Sequence, residues 1–384
     1  MTDAREAAIE ATGWGNPVNL WQPRNACFWI YLGIVGYGVW NAVTIVNPVV
    51  TVYGPALIAS TLIFAVYAAL FWWFTTRIDR YSRLPLSLVI AAFAWGGFGA
   101  TWTIAYFGNS ALIGLYGKAF GQGWSLDWGA GLSAPIFEEL GKGAGVLLLM
   151  FLAPRVIRTA YDGFIVGAFT GLGFEILEDI YYALNSAPDE FGSHQLQTSL
   201  HTVVLRLVTG FSAHILYTAV FGAGLVYLIG TPGQRRRSGL GLVLMASAMV
   251  LHFLWDSTTA LAGGDGLAVL GLIVLVTLLA FAVVIAVFRL TVRPERAAMF
   301  AVMEPEVAAG VLTPAELYAL AGGWRQRRRY RRGAHGRADR RRRNHRLEAA
   351  HDLADQIAAA GGYDTDRVEF ARAELVRLAG RSSG

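Results

Sequence analysis

Cysteine is nearly absent from this 384-residue chain: Cys27 stands alone, so no intrachain disulfide and no cysteine-built zinc cluster can form. Lysine is almost as scarce, with Lys118 and Lys142 against 30 arginines. Charge of either sign is thin, 15% of residues, where a soluble domain carries about 25%. The shortage is also uneven. From Arg289 onward lie 31 of the 59 charged side chains, whereas the 262 residues from Cys27 to Phe288 hold only 23. These scarcities exclude a cytosolic enzyme of ordinary build, a disordered chain and a secreted disulfide scaffold. The first 26 residues lack the charged-then-apolar order of a cleaved signal peptide, so none is expected.

What the chain has in abundance is apolar surface: 55% hydrophobic residues and a mean hydropathy of +0.44. Runs of about 20 apolar residues cross a bilayer as helices. Eight are expected, over roughly 27–46, 55–76, 86–107, 131–153, 162–184, 202–229, 239–262 and 267–288. Arginines cluster after every second run: Arg77, Arg80 and Arg83; Arg155 and Arg158; Arg235, Arg236 and Arg237; Arg289, Arg293 and Arg296. The other side carries acids such as Asp127, Asp189 and Asp265. By the positive-inside rule both termini are then cytoplasmic. The expected fold is all-α: a polytopic membrane bundle of about eight transmembrane helices with a small cytoplasmic helical tail. Its parts are an N-terminal segment 1–26, a membrane domain 27–288 with its chemistry in spans 131–262, and an Arg-rich tail 289–384.

In the tail, Thr313-Pro-Ala-Glu316 is a capping box with proline at the first helical position. Further helices are expected over 345–360 and 365–379. Between Arg325 and Arg346 lie 12 arginines and one acid, Asp339. Such a run suits anionic lipid headgroups or a solvated basic surface, and no specific nucleic acid is expected.

Ionisable residues inside the hydrophobic runs are the informative feature. Spans 1, 2, 3 and 8 have essentially none. Spans 4 to 7 carry Glu138, Glu139 and Lys142; Glu175, Glu178 and Asp179; Arg206 and His214; His252 and Asp256. Each such group costs about 2.5–3.5 kcal/mol near the bilayer centre, so together they must neutralise one another, hold protons or hold a metal. At about 1.5 Å per residue, Glu138, Glu178 and Asp256 fall roughly 10 Å beneath the outer boundary, Glu175 and His252 about 14 Å, and His214 about 20 Å. Four helices thus bring polar groups to one layer. Glu138 and Lys142 are i and i+4, which lets the ammonium neutralise one carboxylate and leaves Glu139 freer to act on water. Gly163, Gly167 and Gly171 make a small-residue seam expected to carry Glu175 and Glu178 toward span 4. Arg206 is expected to snorkel to the span end, and Asp179 to be wet.

In order, Glu138-Glu139-Leu-Gly-Lys142, Phe174-Glu175-Ile-Leu-Glu178, His214 and His252-Phe-Leu-Trp-Asp256 resemble the EExxK, FExxE, H and HxxxD signatures of the PrsW family of bacterial intramembrane proteases, which is similar to the wider CAAX-protease superfamily. Where that superfamily has FxxxH, this chain has Phe174 and Glu178. The resemblance covers about residues 130–262. It implies an integral protein of the bacterial cytoplasmic membrane that cleaves membrane-embedded proteins, anti-sigma factors among them, beside or within the bilayer.

The expected mechanism is hydrolysis by an activated water. Glu139, with Glu138, serves as general base, and Lys142 balances charge. His214, His252 and a carboxylate from Glu175 or Glu178 would hold a divalent metal, zinc first, with Asp256 orienting His252 or joining the ligands. A metal-free version, in which the histidines and Lys142 stabilise the oxyanion, stays open. The alternative from another class is a proton- or cation-coupled transporter. It is disfavoured because spans 1–3 have no charged counterpart of spans 4–7.

Overall fold

The computed structural model describes residues 2–211 and 213–380. Among them all extended regular structure is helical, with a single isolated bridge between Thr231 and Gln234. The helices are α1 (Thr2–Thr12), α2 (Ala26–Ile78), α3 (Leu86–Phe120), α4 (Gln122–Leu152), α5 (Ala160–Asn185), α6 (Gln195–Thr209), α7 (Ala213–Ile229), α8 (Ser238–Asp256) and α9 (Gly266–Ala308). In the tail follow α10 (Pro314–Ala321), α11 (Trp324–Arg332), α12 (Arg337–Ala359) and α13 (Asp366–Gly380). This is an all-α integral membrane protein. By length and apolarity α2, α3, α8 and α9 can each cross a bilayer, and α6 with α7, bent by 45°, makes a fifth candidate. The sequence count of eight is not reproduced on that measure.

The long helix α2 accounts for part of the difference. Tyr31 donates to the carbonyl of Ala91 and Asn41 to that of Trp102, so its first arm runs alongside α3 in the same sense. Its second arm descends α5: Tyr67 bonds Glu175, Trp72 packs on Phe169, and Ile78 accepts from Tyr161. Because α3 and α5 run parallel, with Phe93 beside Gly173 and Trp102 against Tyr181, the two arms are antiparallel. The reversal falls near Pro48 and Pro55, with Tyr53 off helical geometry (φ −108°, ψ 20°). Proline removes a helix hydrogen bond and clashes with the preceding turn, which is what permits the break. Residues 108–130, expected as a connection, instead extend α3 and α4 into a helical hairpin turned at Gly121 (φ +93°).

Helix α3 is wound as a π-helix over Trp95–Ala105, where the backbone bulges against α5. The Gly163-Gly167-Gly171 seam does bring helices into backbone contact, but with α7: the three glycines lie against Gly222, Thr218 and His214. A methyl group on any of them would meet main chain, so close approach here depends on glycine. The seam therefore docks the helix of Glu175 and Glu178 onto the helix of His214 rather than onto span 4.

The arginine-bearing connections gather at one end, where α1 and the tail pack. Asn16 donates to the carbonyl of Arg155, and Arg80 bonds the carbonyl of Gly322. Helix α9 runs unbroken past Phe288 into the tail, where Glu306 accepts from Arg5 (2.9 Å) and Arg372 (2.8 Å). Trp14 donates to Asp355 at 3.0 Å. The N-terminal segment and the tail thus share one interface, held by an ion pair and a hydrogen bond across more than 300 residues of sequence.

Candidate functional site

Helices α3, α4, α5, α7 and α8 enclose a cavity of about 270 Å³ lined by Glu138, Glu178, His214, His252 and Asp256, with Arg206 from α6 on its wall. Aromatic side chains, among them Trp102, Tyr106, Tyr181 and Tyr182, form much of the rest. Glu138 and Glu139, neighbours on α4, part company here. Glu138 faces the cavity, whereas Glu139 is fully buried behind it.

The ammonium of Lys142 sits closer to the i, i+3 carboxylate than to the i, i+4 one of the sequence expectation. Nζ sits 2.7 Å from Oε1 of Glu139 and 3.7 Å from Oε2 of Glu138. Glu139 also meets Nδ1 of His252 at 3.0 Å and accepts from Thr218 at 3.3 Å. It is thus the more engaged of the two acids, and Glu138 the freer. Nζ further lies 3.1 Å from Nδ1 of His214 and 4.2 Å from the centre of the Phe174 ring, a cation–π contact.

Each imidazole is held on one nitrogen by a carboxylate and turns the other toward Glu138. His252 rests its Nδ1 on Glu139 and its ring on that of Tyr217, leaving Nε2 3.6 Å from Oε2 of Glu138 and 3.3 Å from Asp256. His214 rests Nε2 on Glu178 at 3.0 Å, leaving Nδ1 3.7 Å from the same Oε2. That oxygen is buried and has no hydrogen-bond partner, while Oε1 of the same carboxylate accepts from Asn109 at 2.9 Å. A buried carboxylate oxygen left bare carries a desolvation penalty of about 1–3 kcal/mol or more, which a bound cation removes.

Two nitrogens and one oxygen, all within 4.8 Å of one another, fit a divalent metal. With bonds near 2.0–2.2 Å, tetrahedral ligand atoms stand about 3.3–3.6 Å apart, close to the two nitrogen–oxygen separations here, 3.6 and 3.7 Å. Loading would require Lys142 to release Nδ1 of His214 and fall back on Glu139, its nearest carboxylate. Charge balance points the same way: six carboxyl groups (Glu138, Glu139, Glu175, Glu178, Asp179 and Asp256) face two fixed cations, Lys142 and Arg206.

The remaining sequence candidates lie around this triangle. Glu175 turns toward α2, bonded by Tyr67 and by the amide of Ile215 at 3.4 Å, and is not on the cavity wall. Arg206 does not reach for the span end. Its guanidinium lies over the ring of Tyr182 and bridges Glu178 (2.7 Å) and Asp179, which is buried rather than wet. Asn109, Thr218, Tyr67 and Tyr217 were not singled out from the sequence. A lone amide, hydroxyl or phenol in an apolar helix is common, so composition held no signal for them.

The model of one protein family, described as PrsW family intramembrane metalloprotease, matches residues 84–288, just over half of the chain and the whole of the site. No curated protein and no solved structure matches.

Proposed function

The chain belongs to the PrsW family of intramembrane metalloproteases, peptide hydrolases of the membrane, and from that premise we propose that Glu138, His214 and His252 hold its catalytic metal and that its substrates are single-span membrane proteins. The bare Oε2 of Glu138, set 3.6 and 3.7 Å from two imidazole nitrogens, carries this reading. The donor set suits zinc. When bound, such an ion supplies Lewis-acid polarisation of the scissile carbonyl and a lowered water pKa.

The chain's own groups do the rest. Glu139 and Glu178 each fix one imidazole by its outer nitrogen, as carboxylates behind metal-ligating histidines do. Asp256, the most solvent-accessible carboxylate of the cavity wall, takes the proton of the attacking water and returns it to the leaving amine. Lys142 offsets Glu139, so the surplus negative charge falls on the cavity side. Arg206 holds Glu178 and Asp179 from α6. The aromatic wall excludes water and offers apolar surface to an unwound transmembrane segment. With arginine-rich connections cytoplasmic, both termini lie inside, in a bacterial cytoplasmic membrane, and the site opens toward the outer half, where a membrane-tethered regulator such as an anti-sigma factor is within reach.

The test is metal content of the purified protein beside cleavage of a single-span reporter in proteoliposomes. Wild type is expected to hold about one divalent ion per chain, and Glu138→Gln and His252→Ala to lose both ion and cleavage. Retention of a full metal equivalent in both variants would refute the assignment. Cleavage undiminished in Glu138→Gln would refute it as well.

A further inference from the structure

At the far end of the molecule the charge surplus is reversed. Helix α11 presents Trp324, Arg328, Arg331 and Arg332 on one face, at helical spacing i, i+4, i+7 and i+8. Opposite it the start of α12 brings Arg337 and Arg340, and between them lies a cleft of about 650 Å³ lined by these side chains with Ala334 and Gly336. Five guanidiniums therefore line one space. Among the described residues none of the five has a carboxylate partner. Asp339 is taken by Arg342 (2.7 Å) and Arg343 (3.3 Å), and Glu316 by Arg346. The buried Nε of Arg331 has no hydrogen-bond partner. The cleft also meets the start of α12, a 23-residue helix whose N-cap, Gly336 (φ +94°), offers no capping side chain. Uncapped amides at a helix start favour an anion.

Like charges crowded without counter-ions repel, so an anion entering the cleft would relieve the arrangement. Guanidinium forks match phosphate oxygens in geometry as well as charge. The position says where the phosphate comes from. The carbonyl of Gly322, two residues before Trp324, is bonded by Arg80 and Tyr81, which immediately follow α2, and Gly323 lies beside Arg296, about 12 Å of helix beyond Phe288. The indole of Trp324 is 67% exposed at this level and stacked under the guanidinium of Arg328, as interfacial tryptophans with a lipid-facing side are. We infer that this cleft is a binding site for the phosphate headgroup of an anionic phospholipid from the leaflet on the tail's side, clamping the tail to the bilayer that holds the protease site.

Native mass spectrometry of the full chain in detergent, titrated with phosphatidylglycerol, tests this. Wild type is expected to retain one lipid more tightly than the rest. Arg328→Gln/Arg331→Gln/Arg337→Gln should weaken that lipid on the order of 100-fold, at about fivefold per cation near a membrane surface. Arg325→Gln/Arg329→Gln/Arg341→Gln removes equal charge outside the cleft and should leave it bound. Equal weakening by both triples, or by neither, would overturn the site. So would displacement of the lipid by inorganic phosphate or ATP at equal concentration, which would make the ligand a soluble phosphate. If the cleft triple does not fold, Arg337→Gln alone, exposed and without an ion-pair partner among the described residues, should weaken the lipid about fivefold. Unchanged affinity there would overturn the inference.

Discussion

The membrane-embedded cavity and the tail treat buried acid in opposite ways. In the tail two of the three buried carboxylates have a guanidinium: Glu306 accepts from Arg5 and Arg372, and Glu316 from Arg346, with Tyr330 and the Thr313 amide filling further lone pairs, while the third, Glu295, accepts from the hydroxyl of Ser82. Burial pushes Glu306 toward protonation, but the hydrogen bonds from Arg372 and Arg5 outweigh it and hold the group below the usual carboxylate range. In and around the cavity six carboxyl groups share two fixed cations, and the one oxygen facing both histidines is bare. Matched charge of the first kind is architecture. A shortfall of the second kind, inside a bilayer where each uncompensated group is costly, marks a place reserved for a cation and for protons in transit.

Four substitutions can break or sharpen that contrast. The largest effect is expected of Glu138→Gln, with reporter cleavage in proteoliposomes falling by about 1000-fold or more as several kcal/mol of metal-assisted stabilisation are lost. Compared with both proteins stripped of metal, its melting temperature should not fall, because a bare buried charge has been removed. Glu306→Gln should do the reverse. It leaves Arg5 without its carboxylate and Arg372 with Asp364 alone, and loosens the tail by about 3 kcal/mol, visible as faster limited proteolysis, while cleavage per folded molecule stays unchanged. Glu139→Gln should cost about 10–100-fold in metal affinity, as loss of a carboxylate behind a ligating histidine does. Equal activity with equal metal content would show that Glu139 does not position His252.

The smallest effect concerns Asp79, at the boundary between the two regions. Burial raises its carboxyl to about 7, the Leu84 amide opposing and Glu295 reinforcing the shift. A group whose folded value exceeds its unfolded one contributes stability that is complete below the unfolded value, near 4, and is lost as pH rises through about 7. Asp79→Asn should therefore change the melting temperature little at pH 4 and raise it progressively as pH climbs to about 7, by about 2–4 °C for each kcal/mol that ionisation costs the wild type. A gain independent of pH would contradict the burial of an ionising acid there.

Much of this was readable in one dimension. Apolar runs of this length announce membrane helices because a single segment in hydrocarbon satisfies its own backbone groups only as a helix. Acids at helical spacing inside such runs announce a site because lipid does not tolerate them singly. Thr313 and Glu316 form the capping box their spacing predicts. The break in α2, the extension of α3 and α4 into a hairpin, and the docking of α1 on the tail were not readable, since each depends on which surface happens to lie opposite. Arg206 illustrates the limit. Its distance from a helix end is a property of the sequence, but its partners Glu178 and Asp179 belong to another helix.

The linear order of residues by itself determined that this is a membrane helical protein of the PrsW type with its ionisable groups in a single layer, because hydropathy and helical pitch are local properties. Only the tertiary structure decided which acid is spent on Lys142. On an isolated helix Glu138 and Glu139 stand four and three residues before it and are equivalent in reach. Thr218 from α7 and His252 from α8 complete the bonding of Glu139, and so leave Glu138 bare toward the cavity. That choice is made by side chains more than 70 residues away, and no spacing rule along α4 contains it.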